Sequence, residues 1–238
     1  MSERTPVPSS SDGWARSSGR LHVAAEQAAA GYNVEGRQVS GPHQGFGRLW
    51  KRDYWADFGP GVTPQHVVAQ WRAHFGDYWP KGGHFHGTPA GISPGDVAPL
   101  AIGPGHGPKL ATGVLVIYAD DESFTFMTPE GHMFAGLITF SAADLDGRTE
   151  VRISILLRTN DPLYEAGWPI LRIGEDKFWP GVLRNLAAGL GLGEVAVQTR
   201  TECVDRRRQW KRWSNVRHNA GIRSAWHTVT SPFRSRSG

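Results

Sequence analysis

Between residues 110 and 159 the chain repeats one pattern four times, an apolar run of strand-forming residues closed by a polar turn. Leu110 to Ala119, Glu122 to Met127, His132 to Ser141 and Thr149 to Thr159 have strand composition. Asp120-Asp121, Thr128-Pro129-Glu130-Gly131 and Asp144 to Gly147 separate them with residues that favour tight reversals. Connectors this short join antiparallel neighbours, since a parallel pair needs a crossover of a dozen residues or more. In the last run Val151, Ile153, Ile155 and Leu157 alternate with Arg152, Ser154, Leu156 and Arg158, which predicts one buried and one wetter face.

Helical spacing flanks this meander. Thr63-Pro64 pairs a hydroxyl N-cap with proline at the first helical position, and Val67, Val68, Trp71 and Phe75 follow as one stripe before Gly76 and Pro80. Asp161-Pro162 repeats the start signal. Tyr164, Trp168, Leu171, Phe178, Val182 and Leu186 then share a face as far as about Leu190, with Gly167, Pro169 and Pro180 interrupting the helix. Upstream, Val23 to Ala30 predicts a short helix. Gly45 to Phe58 predicts an extended segment in which Phe46, Trp50, Tyr54, Trp55 and Phe58 alternate with Arg48, Lys51 and Arg52. Residues 80–109 read as loop with a short strand near Val97 to Ile102, and a last short strand is expected at Glu194 to Thr199. Together these elements predict an α+β domain over residues 21–200: a curved antiparallel sheet gripping a long, kinked C-terminal helix, with space for a cavity between them. Residues 1–20 read as a disordered leader and 201–238 as a basic tail.

Composition narrows the class. A chain of 238 residues with one cysteine, Cys203, has no internal disulfide and no CxxC pair for zinc. No run reaches the ~18–20 apolar residues of a membrane-spanning helix, and Met1 to Arg20 lacks a signal-like apolar centre, so a cytoplasmic location is expected. The net charge of +4 is uneven: from Arg200 onward ten Lys/Arg face Glu202 and Asp205, giving +8, and the rest of the chain carries −4. Such asymmetry points to an anionic partner or surface.

The stretch from Thr128 to Gly136 (Thr-Pro-Glu-Gly-His-Met-Phe-Ala-Gly), the strand ending in Arg158, and Asp161-Pro162-Leu163-Tyr164 at the last helix resemble an uncharacterised bacterial family near the SRPBCC, or START-like, helix-grip superfamily. The resemblance covers roughly residues 45–195. It implies an apolar molecule or lipid held between sheet and helix, or, in cyclase- and hydrolase-type members, a reaction there. The chain departs from a simple helix-grip pattern in its broken last helix and its long 80–109 loop, features that bear on the size and mouth of the cavity.

Glu175 is the most informative single residue. It falls among Trp168, Leu171, Phe178 and Val182 on the apolar stripe, where a carboxylate must be paired, protonated or set against a polar cavity. It reads either as a ligand anchor or general acid/base, or as half of an ion pair with Arg152, Arg158 or Arg172. His132, read on a strand with Phe134, Ile138 and Phe140, is either a base at the cavity rim or part of a turn cap with Glu130. His84-Phe85-His86 has the two-residue spacing of metal ligands but no further ligand at a recognised distance, so neither metal nor cofactor is expected. Gly103 to Lys109 lacks the order of a phosphate-binding loop, and Gly189 to Gly193 follows a helix, the reverse of a dinucleotide fingerprint. No GxSxG elbow is present, and Cys203 has no assigned histidine partner.

In the basic tail, Arg206-Arg207-Arg208-Gln209-Trp210-Lys211-Arg212-Trp213 with Arg217, Arg223 and Trp226 interleaves cations and indoles. That mixture suits nucleic acid or an anionic membrane over residues 205–226, or indoles folded back on the body with the cations solvated. Three functions remain in view. The first is an apolar small-molecule or lipid binder with Phe124, Phe126, Ile153, Ile155, Trp168 and Leu171 as walls and Glu175, Arg158 and His132 at the polar end. The second is an enzyme in the same cavity with Glu175 or His132 as its base. The third is an interaction protein acting through its tail.

Overall fold

The computed structural model describes residues 13–16, 19–88, 91–103 and 110–234, with side chains as far as Thr228. Most of the expected leader and most of the Gly103–Lys109 stretch therefore lie outside the described residues. One sheet organises the rest. Its eight strands are β1 (Leu49–Asp57), β2 (Gly83–Phe85), β3 (Val97–Ile102), β4 (Leu110–Ala119), β5 (Ser123–Met127), β6 (Phe134–Leu145), β7 (Arg148–Thr159) and β8 (Gln198–Asp205). They pair antiparallel in the order β2-β3-β4-β5-β6-β7-β1-β8. The four expected runs form the meander β4 to β7, and β1 closes onto β7 with Trp50 opposite Leu157, Arg52 opposite Ile155 and Tyr54 opposite Ile153.

Two helices occupy the inner face. Helix α1 (Pro64–Ala73) starts where the cap signal places it, Thr63 Oγ1 accepting from His66 N at 3.3 Å. Its Val67, Val68 and Trp71 are fully buried, and Trp71 meets Phe124 and Phe140 edge-on at 5.7 and 5.2 Å. Asp161 caps the short α2 (Pro162–Ala166) by accepting from Leu163 N and Tyr164 N, and Gly167 joins it to α3 (Trp168–Gly189). Pro169 sits in the first turn of α3, where proline costs nothing, whereas Pro180 lies inside the helix. Beyond Pro180 the side chains of Val182, Leu183 and Leu186 are wholly buried.

The outer face of β3 to β5 is covered as well, which explains the continuous apolar run of β4. Leu21 and Val34 from the N-terminal segment pack on Val97 and Leu115. From the other side comes α4 (Ala220–Arg234), whose Ser224 Oγ accepts from Ala111 N at 3.1 Å and from Asn33 Nδ2 at 3.0 Å. Within the span read as leader, Trp14 bridges to Tyr118. The chain past Arg200 is likewise built into the body: β8 pairs with β1, and the nine-residue 3-10 helix Trp210–His218 leads into α4. The last strand thus begins at Gln198 rather than Glu194 and runs on past Thr199 to Asp205. All of β8 is exposed or half-exposed at the sheet edge, so it carries no hydrophobic signature.

The C-terminal segment is held at the β5–β6 turn. Gly131 has φ +86°, Ala220 N donates to its carbonyl at 2.9 Å, and a Cβ there would lie 2.0 Å from the His218 carbonyl oxygen. Gly131→Ala is therefore expected to loosen residues 210–234 without unfolding the sheet. Faster amide exchange confined to that segment is the measurement, and unchanged protection there would refute the contact's role.

Candidate functional site

Between the inner face of the sheet and the first half of α3 lies a cavity of about 390 Å³. Strands β2 to β7 contribute Phe85, Leu100, Val114, Phe126, Ile138, Phe140, Ile155 and Leu157 among others, the segment 79–83 adds Trp79 and Lys81, and α3 adds Ile170, Leu171, Gly174, Glu175, Phe178 and Trp179. All the α3 residues that line it precede Pro180. Ile170 is 77% exposed although it lines the cavity, which marks its mouth.

The period-two alternation of β1 puts Trp50, Arg52 and Tyr54 on the inner face, since their partners on β7 are Leu157, Ile155 and Ile153. The Arg52 side chain has no solvent exposure. Its Nη1 donates to Glu175 Oε2 at 2.5 Å, its Nη2 to Asp176, and its guanidinium lies 5.4 Å from the Tyr54 ring and 5.9 Å from Trp168. Glu175 Oε1 accepts a long bond from Trp179 Nε1 at 3.4 Å. Burial pushes the Glu175 carboxyl up, against the opposing pull of Arg52. The positive guanidinium 2.5 Å away favours the ionised carboxylate over the neutral acid, against that burial. The partner of Glu175 is thus Arg52, not Arg152, Arg158 or Arg172. Arg152 pairs with Glu150, and Arg158 with Asp205.

His132 also lines the cavity, but it lies in the turn two residues before β6 rather than on the strand. Its Nδ1 lies 2.9 Å from Phe134 N and 3.1 Å from Phe134 O, and accepting from that amide leaves the ring proton on Nε2. Among the described residues Nε2 has no hydrogen-bond partner, and the bond to Phe134 replaces the turn cap expected with Glu130. Burial lowers the imidazole to about 4, so it is neutral at physiological pH.

Of the expected wall residues, Phe126, Ile155 and Leu171 line the cavity together with Glu175 and His132. Phe124 and Ile153 sit deeper, in the solid core under α1, with Phe124 stacked on Phe140 at 4.8 Å. Trp168 is held behind the wall between Trp50, at 5.6 Å, and Phe134, at 5.9 Å. Arg158 does not reach the cavity: one residue past Leu157, it faces outward and donates to Gly47 O, Arg207 O and Asp205. Asp205 is itself held well below the carboxylate range by the Arg207 amide and by these arginines. Cys203 is half-buried on β8 as a free thiol. His84 and His86 are exposed, and among the described residues no cluster of three His, Cys, Asp or Glu is placed to hold a metal. Arg52 is the residue that sequence reasoning missed. The pattern Trp50-x-Arg52-x-Tyr54-x-Ala56 carried the signal, because it sets the arginine in phase with the apolar side.

No protein-family model and no curated protein matches the sequence. Among solved structures, Ms6760 from Mycobacterium smegmatis aligns with 59% of this chain and 90% of its own at 16% identity and a TM-score of 0.43. The di-domain ARO/CYC StfQ from the steffimycin biosynthetic pathway aligns with 59% of this chain and 50% of its own at 10% identity and a TM-score of 0.46. Major latex-like protein 151 from Panax ginseng aligns with 60% and 98% at 15% identity and a TM-score of 0.40. No helix among the described residues is long and apolar enough to cross a membrane.

Two outcomes follow from the buried charges. Arg52→Met strands Glu175 without its partner and is expected to cost about 3–5 kcal/mol in urea denaturation, while Arg52→Met combined with Glu175→Leu regains most of it. Equal losses in the single and double variants would contradict the pairing. The second concerns acid. His132 titrates at about 4 in the folded chain against 6.5 as its ordinary value, so the unfolded chain binds the proton first. Stability is complete above about pH 6.5 and falls by roughly 3 kcal/mol as pH drops through this window. His132→Asn, which keeps an acceptor for Phe134 N, is expected to flatten that part of the stability–pH curve, and an unchanged slope would count against the assignment.

Proposed function

We propose that the chain binds an apolar small molecule or lipid between the sheet and α3, with an uncharged, hydrogen-bond-donating group at its polar end. The observation that carries this reading is a hollow walled by aromatic and aliphatic side chains whose buried charge, on Glu175, is an acceptor held in place by Arg52. A hydroxyl is able to donate to Glu175 and to accept from His132 Nε2–H, whereas a ligand carboxylate would meet a like charge with little water to screen it. Phe85, Phe126, Phe140, Phe178 and Trp179 offer ring faces and edges, so fused aromatic rings fit as well as aliphatic chains.

Catalysis in the same cavity is less well supported. His132 is a weak base with its pKa near 4, and the charge of Glu175 is shared with Arg52. A cyclase- or hydrolase-type reaction needs one of them free to take a proton at neutral pH.

Trp79 and Trp179 line the cavity, so ligand entry is readable as a change in indole fluorescence. 2-Naphthol is expected to bind at least about tenfold more tightly than 2-naphthoate at neutral pH, a charge-assisted hydrogen bond being worth about 1.5–3 kcal/mol. Glu175→Gln should shrink that preference to within about threefold, because the repelling charge is gone. Tighter binding of the naphthoate, or no saturable change with either compound, would overturn the proposal.

A further inference from the structure

The C-terminal 3-10 helix sorts its side chains into three rows, because residues three apart eclipse one another at three residues per turn. Arg212, Asn215 and His218 form the anchoring row. Asn215 Nδ2 donates to Gln44 O and Asn160 O, both at 2.8 Å, and His218 Nδ1 lies 2.7 Å from Arg37 Nη1. Trp210, Trp213 and Val216 form the second row, with the two indoles 70% and 56% exposed. Lys211, Ser214 and Arg217 form the third, and its two cations are exposed. Trp210 rests edge-on against Phe46 at 5.2 Å and still presents most of its ring to solvent. The indoles of this row are therefore not folded back into the body, although the segment that carries them is fixed to it.

Charge completes the picture. Residues 206–217 contain six Lys/Arg and no acid, and no Asp or Glu occurs from Arg206 to the end of the sequence. Of the adjoining carboxylates, Asp205 and Glu165 pair with Arg158, Arg207 and Arg208, and buried Asp161 is taken up by Asn219 and the α2 amides. Beside this helix runs α2, tied to the same segment through Arg208–Glu165 and Tyr164 Oη–Gly221 N, and its Leu163 is 53% exposed.

We propose that the row of Trp210 and Trp213, flanked by Arg206, Lys211 and Arg217, docks on the surface of an anionic lipid bilayer. Indoles seat at the boundary between headgroups and acyl chains, and cations just above them meet the negative surface. Single-stranded nucleic acid also uses cations with aromatic platforms and is the competing outcome of the test, but two indoles fixed on one row with cations on the next match the layering of the headgroup boundary. The inference stands independently of what the cavity holds.

Co-sedimentation of the full chain with vesicles tests it. Binding to phosphatidylcholine vesicles containing about 30% phosphatidylglycerol is expected to exceed binding to pure phosphatidylcholine by at least about tenfold, and to fall steeply between about 50 and 500 mM salt. Trp210→Ala/Trp213→Ala and Lys211→Glu/Arg217→Glu should each cut vesicle binding about tenfold or more. Unchanged circular dichroism and an unchanged thermal midpoint would show that these variants fold. Equal partition onto both vesicle types would overturn the proposal, as would folded variants that bind like the wild type. So would tighter binding to a single-stranded oligonucleotide than to the charged vesicles.

Discussion

A guanidinium without solvent exposure constrains everything around it. Arg52 points from β1 into the space between sheet and helix, where no water solvates its charge and partners must. α3 therefore has to arrive in the one rotation and height that brings Glu175 and Asp176 to its two Nη atoms. The ion pair adds a directional, two-pronged constraint to the surrounding aromatic contacts. It also decides the character of the cavity, because the acceptor it needs is the same carboxylate that faces the hollow.

The sheet that carries Arg52 is stabilised from both sides. On its inner face α1 and the far half of α3 fill the space with rings and branched chains. On its outer face the N-terminal segment and α4 cover β3 to β5. The cavity is the part of the inner face left unfilled, and its position follows from where the two helices stop packing.

Much of this is legible in the sequence. The cap-plus-proline pairs Thr63-Pro64 and Asp161-Pro162, the meander from Leu110 to Thr159 and the placing of Glu175 among apolar neighbours all rest on local signals that tertiary context did not override. The misplacements have identifiable causes. His132 looked like a strand residue because Phe134, Ile138 and Phe140 continue its alternation, yet the Gly131 turn extends through it. Arg52 was hidden because three cations lie among five aromatics, and charge count outweighed phase. β8 was set too early because an edge strand reading Gln-Thr-Arg-Thr-Glu-Cys-Val-Asp buries almost nothing. Phe124, Ile153 and Trp168 are on the expected face but under solid packing, a distinction of depth that periodicity does not encode.

Pro180 divides α3 into two different kinds of surface. From Ile170 to Trp179 its inward side chains border the cavity, and Val182, Leu183 and Leu186 after it are sealed. Proline has no amide hydrogen to return to the carbonyl one turn earlier, here that of Asp176, so the helix loses a rung beside the residues that grip Arg52. The grip on Arg52 therefore sits at the least braced rung of α3, where side chains rather than the backbone ladder hold the helix to its line.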